Sequence, residues 1–275
     1  MASDDDVALG RAYRKSGALT QELGLWQRCV EADPDDAGAN ERLGWILWFT
    51  GRPDEALPWL HKAAALNPQG KWPYFYLGNA HLALHDYAEA ERMYSHALEL
   101  HAGHSSAQAG VIWSLLAARK DDDAHVHLER FQSGEFDGDR YPHKLADIEY
   151  FLGEDDVALL RAREALAEPT ERYWPRGYLA STILAALLWS DDRAAADEQL
   201  AQSERIDRER LAGGDEGFMP HVDLAAVHAI RGEGLAACDS LRSAIAAGWR
   251  YGALAKRDRL FATVRDDEEF RSLVD

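Results

Sequence analysis

Three short landmarks recur along the chain at a fixed step of 34 residues, and no other feature narrows the possible folds as far. Leu43-Gly44 is followed by Gly51, Ala56, Ala63 and Pro68, and Leu77-Gly78 by His85, Ala90, Ala97 and Ala102. Leu9-Gly10 is followed in the same rhythm by Gly17, Glu22, Cys29 and Pro34. Small residues at these places let two helices of one hairpin approach closely, and the Gly or polar residue between them allows the turn. Each unit reads as an apolar-periodic helix, a short turn, a second apolar-periodic helix and a break often marked by Pro.

This pattern resembles the tetratricopeptide repeat family, whose 34-residue helix-turn-helix unit prefers Leu-Gly, Ala, Ala and Pro at these slots. The resemblance implies an all-α fold, a right-handed α-solenoid of about seven units with a C-terminal capping segment. In register, the solenoid covers 3–247, with units near 3–36, 37–70, 71–104, 105–138, 139–172, 177–210 and 218–247. An insert at Tyr173-Trp174-Pro175-Arg176 precedes the sixth unit, and a Gly-rich insert, Leu211 to Gly217, precedes the seventh. The match is strongest in the second and third units and weakest in the fourth, where Ile112 and Phe136 replace the usual small residue and Pro. Residues 248–275 depart from the repeat. They resemble the end segment of bacterial tetratricopeptide arrays, and as a helical cap they would cover the last apolar face of the solenoid.

Composition bounds the function. The chain has 275 residues, 47% of them hydrophobic, and a formal net charge of −18. That charge disfavours sequence-independent nucleic-acid binding and docking on an anionic membrane. Two cysteines, Cys29 and Cys238, make no disulfide framework. The start, Met1-Ala2-Ser3-Asp4-Asp5-Asp6, lacks the basic and apolar regions of a signal peptide, so a cytoplasmic protein is expected. The preference for Arg over Lys is compatible with a bacterial source.

Catalytic chemistry finds little to stand on, and no cofactor or metal is expected. Gly232-Glu233-Gly234-Leu235-Ala236-Ala237 formally fits a dinucleotide fingerprint, but it falls at the turn of the seventh hairpin instead of after a strand. His81 and His85 are four apart, yet one falls at a packing slot and the other at a turn. The runs Asp4-Asp5-Asp6 and Asp121-Asp122-Asp123 sit at expected helix starts, where carboxylates cap free N–H groups and complement the helix dipole. Cys29 occupies a small-residue packing slot.

The tryptophans carry more information. In the resembled family the first helices line a concave groove through slots 2, 5, 6, 9, 12 and 13 of each unit, which fall on one helical stripe. Trp72 takes slot 2, Trp45 and Trp113 slot 9, Trp48 slot 12 and Trp189 slot 13. Five of the nine tryptophans thus lie on a stripe where an even spread would put about 1.6. Phe49, Phe75, Tyr76, Tyr150, Phe151 and Tyr178 share it, with Arg11, Arg14 and Lys15 at one end and Arg42 and Asn79 further in. Each ring could instead pack between neighbouring first helices; taken together, they point to an exposed aromatic floor for binding. The chaperone-tail carboxylate clamp known in the family is not reproduced, because its slots hold Val7, Arg11, Arg42, Trp72 and Tyr76.

The reading that follows is a non-enzymatic protein-protein interaction scaffold or adaptor. Its partner would be a peptide or protein segment with apolar anchors and an acidic residue or C-terminal carboxylate. Two alternatives stay open: an enzyme or carrier taking a small molecule or sugar in the groove, and a self-associating structural dimer. A monomer and a homodimer are both compatible with the sequence.

Overall fold

In a computed structural model, residues 2–133, 142–167 and 178–275 are described. Among them every regular element is helical. They form two compact units, Met1–Asp139 with Gly214–Gly217, and Arg140–Gly213 with Phe218–Asp275. The expected turn near Phe136 and the insert at 173–176 lie outside the described residues.

The first unit contains α1 (Asp4–Ser16), α2 (Leu19–Ala32), α3 (Ala37–Phe49), α4 (Pro53–Leu66), α5 (Lys71–Ala83), α6 (Tyr87–Leu100), α7 (Ser105–Ala117) and α8 (Asp121–Gln132). The second contains α9 (Pro142–Leu152), α10 (Asp155–Leu166), α11 (Ala180–Leu188), α12 (Arg193–Ala212), α13 (Met219–Arg231) and α14 (Gly234–Ala246). It ends with α15 (Gly252–Ala255), a 3-10 turn at Arg259–Phe261 and α16 (Glu268–Val274). Successive helices pack in pairs, and first helices also touch one another: α3 with α5, α5 with α7, α9 with α11, and α11 with α13.

The backbone repeats the period seen in the sequence. Gly17, Gly51, His85, Arg119 and Gly153 stand 34 residues apart at the end of a first helix, and all five have positive φ, 75°, 78°, 64°, 60° and 85°. A left-handed residue lets the chain reverse into the second helix, which is why Gly is favoured there. Two units hold the same turn with a side-chain-bearing residue.

The Leu-Gly glycines permit the close approach inside each hairpin. A methyl on Gly44 would lie 2.5 Å from the Leu60 side chain, and on Gly10 2.5 Å from Trp26. Tyr94 is held between one of them, Gly78, and Gly110 of the following α7. A methyl on Gly78 or on Gly110 would lie 2.6 Å from its ring, and its hydroxyl donates to Asn79 Oδ1 at 2.6 Å. Acidic helix starts behave as the dipole requires. Ser3 and Asp6 form a reciprocal capping box on α1, and Asp121, Asp122 and Asp123 occupy the first turn of α8.

In the second unit a buried polar network ties three helices together. Thr182 Oγ1 lies 2.8 Å from Asp223 Oδ2 and from Ser203 Oγ, and Leu179 N–H donates to Asp223 Oδ1 at 2.8 Å. The C-terminal segment does more than cover the end. While α16 packs on α14, Thr263 donates to the Ala229 carbonyl of α13 and Phe261 approaches Tyr178 at 6.4 Å. Arg259 reaches the Tyr150 carbonyl of α9 at 2.9 Å and Asp155 of α10 at 2.5 and 2.9 Å. The segment thus runs from the last first helix back to α9, a path the sequence did not disclose.

Candidate functional site

In the first unit the rings of α3 and α5 form a ladder. Trp45 stacks on Phe49 at 5.2 Å, Phe49 meets Trp48 edge-on at 5.9 Å, Trp48 stacks on Tyr76 at 6.5 Å, and Tyr76 stacks on Trp72 at 5.8 Å. Trp72 is further flanked by Phe75 and, at 4.7 Å, by the edge of His104. The slot spacing of the repeat brings these side chains together because α3 and α5 are neighbouring first helices.

Burial corrects the expectation of an open floor. Trp45, Trp48, Phe49, Phe75 and Tyr76 keep only 7–9% of their surface, and Trp113 keeps 2%. Rings packed side by side between adjacent helices shield one another, so most of the ladder stiffens the repeat stack instead of facing solvent. Trp72 alone of this group is open, at 42%. Asn79 is also buried and committed to Tyr94, so it does not line a groove. Phe49 is covered in part by Gly217, whose Cβ position lies 3.5 Å from the ring. The Gly214–Gly217 segment is fixed there by Glu216, whose N–H donates to the Gly17 carbonyl at 3.0 Å and whose carboxylate accepts from Thr20 N–H and Oγ1.

The basic end needs a second correction. Arg14 lies 3.5 Å over the Trp45 ring and bonds the fully buried Glu22 at 2.5 Å. Glu22 in turn accepts from Trp26 Nε1 at 3.2 Å. Arg14 is therefore neutralised within the fold, leaving Arg11 and Lys15 exposed and Arg42 partly so. Arg42 makes one loose ion pair, 4.0 Å, with Glu41. Burial pushes the Glu41 carboxyl up, against Arg42 and Arg14, which pull it down. Burial and the Glu41 charge likewise push the Tyr76 phenol to about 12. From sequence Glu22 stands only as a hairpin packing landmark and Glu41 carries no site role, although Glu41 occupies slot 5 of the same stripe.

In the second unit the candidate rings are occupied from within. Arg259 lies 4.6 Å over Tyr150 and Arg257 5.5 Å over Phe151; both rings are buried, as is Tyr178. Trp189, half-buried, carries Arg193 at 3.4 Å over its face.

The other candidates have ordinary surroundings. His81 is partly buried with its Nδ1 3.5 Å from Asp86, burial lowers its basicity, and His85 is exposed. Among the described residues no three His, Cys, Asp or Glu side chains are grouped to hold a metal ion. The Cys29 and Cys238 thiols are both pushed up by burial, away from the thiolate a nucleophile needs. Gly232 is the left-handed cap of α13, at φ 80°, so the Gly-x-Gly segment is a helix turn. No described helix is long and apolar enough to cross a membrane.

Residues 50–109 match the tetratricopeptide repeat family. The sequence matches no curated protein. Among solved structures, the fold is similar to that of a thermophilic tetratricopeptide protein of Thermus thermophilus, TTC0263. The two share 20% identity and a TM-score of 0.54, over 61% of this chain and 92% of that one. It is also similar to pilF of Pseudomonas aeruginosa, with 20% identity and a TM-score of 0.52 over 74% and 90%. At that identity the likeness is one of fold. A match to the O-GlcNAc transferase of Thermobaculum terrenum (22% identity, TM-score 0.43, 48% of this chain) spans 27% of that enzyme and carries no further weight.

Proposed function

From tetratricopeptide repeats stacked into a helix-turn-helix solenoid, we propose a non-enzymatic scaffold that binds a segment of a partner protein along the first helices of the first unit. Repeats of this family serve protein interaction, and fold alone does not choose the surface. The observation that carries the reading is Trp72: a large aromatic ring, 42% exposed, at the open end of an otherwise buried ladder. Exposed aromatic surface beside charged residues is the usual composition of an interaction hot spot. The partner segment would place an apolar anchor on Trp72 and an acidic residue or carboxylate toward Arg11, Lys15 and Arg42.

The test is capture of partners from cell extract, with identification by mass spectrometry, using wild type, Trp72→Ala and Arg11→Ala/Lys15→Ala. The variants alter exposed groups, so circular dichroism should find both folded. A protein retained by wild type and lost by folded Trp72→Ala supports the site. Equal retention by all three forms places binding elsewhere.

A further inference from the structure

A remote piece of chain completes the turn between α1 and α2. The N-cap residue of α2, Ala18, offers no side-chain acceptor to the free N–H groups of the first turn. Glu216, 196 positions along the chain, supplies one: its carboxylate accepts from Thr20 N–H at 2.7 Å and from Thr20 Oγ1 at 2.8 Å. The Glu216 N–H donates in turn to the Gly17 carbonyl at 3.0 Å. A carboxylate placed here also meets the positive end of the α2 dipole.

Packing fits the same occupant. A methyl on Gly17 would lie 2.6 Å from Asp215 Cα, so a glycine is what lets the segment's backbone rest on the turn. At the matching turn glycines Gly153 and Gly232 a methyl would meet nothing closer than 3.9 Å. Gly217 lies against Phe49, at 3.5 Å from its Cβ position, and its N–H donates to Asp215 Oδ1 at 2.9 Å, which shapes the segment from within. Residues Gly214–Gly217 thus belong to the first unit, although in sequence they join α12 to α13.

The hold is light. Thr20 and Glu216 are both exposed, and water competes for bonds between exposed groups, which leaves them little net strength. Arg11 and Lys15, exposed on α1, supply local positive charge for an acidic segment on a molecule of net charge −18. A second chain that offers a backbone N–H and a carboxylate at this spacing makes the bonds that Glu216 makes.

We propose that the α1–α2 corner, Gly17 with Thr20, is the docking point for the partner's acidic residue. Asp215 and Glu216 occupy it until an acidic segment of the partner replaces them. The proposal rests on the groove reading above: it places the partner's carboxylate just past Lys15 at the end of α1 and makes the chain's own segment its competitor.

The probe is a blocked, fluorescein-labelled peptide of residues 213–218, Gly-Gly-Asp-Glu-Gly-Phe, and the same peptide with glutamine in place of its glutamate. Binding is measured by fluorescence anisotropy to full-length wild type, Glu216→Gln and Thr20→Val/Glu216→Gln. Both positions are exposed, so circular dichroism should find both variants folded. Glu216→Gln weakens the internal competitor and should bind the acidic peptide roughly tenfold tighter than wild type. Adding Thr20→Val should reverse most of that gain, and the glutamine peptide should bind all three forms weakly and alike. The proposal is overturned if no form binds the acidic peptide, if Glu216→Gln binds it no tighter than wild type, or if the glutamine peptide binds as well. The groove reading is tested apart from this, by partner capture with Trp72→Ala. Partner loss in Trp72→Ala without a peptide gain in Glu216→Gln would remove the corner site and leave the groove standing. A peptide gain with capture unchanged in Trp72→Ala would keep the corner and remove the aromatic anchor.

Discussion

At position 85 a histidine, and at 119 an arginine, hold a left-handed backbone conformation that glycine holds at 17, 51 and 153. A Cβ in that region costs about 1–2 kcal/mol, so His85→Gly and Arg119→Gly should each stabilise the fold by up to about 1 kcal/mol after the entropy of glycine is counted. Thermal melting followed by circular dichroism checks this; an unchanged or lower transition would contradict it. Gly78→Ala should move the opposite way, by about 1–3 kcal/mol, since its methyl meets the Tyr94 ring at 2.6 Å. Glu41 gives a pH-dependent case. Its carboxyl is pushed up in the fold, so the folded state binds more protons than the unfolded one above the ordinary value of 4.5. Its relative contribution is full below 4.5 and is lost as pH rises through the folded value. Glu41→Gln should therefore be neutral to stabilising at pH 7 and lose that advantage in acid; greater loss of stability at pH 7 would show Glu41 to be a structural ion-pair partner.

Helix pairs were readable because the Leu-Gly step, the turn residue and the alanine slots each impose a local condition that the structure meets at the same positions, as Gly44 against Leu60 illustrates. Which rings remain open was not readable. Slot numbers place Trp45, Trp72 and Trp113 on one stripe, but exposure depends on what lies beside each, and the neighbours of Trp113 leave 2% against 42% for Trp72. The pairing of Arg14 with Glu22 was hidden for the same reason, since it joins the two helices of one hairpin. The path of the C-terminal segment rests on a contact between residues 104 positions apart, with no local signal. Within that element Phe261 is fully buried whereas the Arg259–Asp155 pair is 38% and 50% exposed. Phe261→Ala should cost about 3–5 kcal/mol and Arg259→Ala about 1 kcal/mol or less, measured by urea unfolding. Comparable losses in the two would mean that the ion pair, not the ring, anchors the segment.

For the whole molecule, the charge of −18 excludes little about fold and much about partners: it lowers affinity for polyanions and raises encounter rates with basic segments. The repeats provide a row of first helices, and the proposed binding site lies where, among the described residues of the first unit, that row presents the open ring of Trp72. The most direct test is site-specific photocrosslinking in cells, with the crosslinker placed at position 72 in one strain and at Val126, 55% exposed on α8, in another. A discrete crosslinked partner from position 72 and none from position 126 is the predicted result. A partner crosslinked from 126 and not from 72 would contradict the central claim and move the interaction to the second helices.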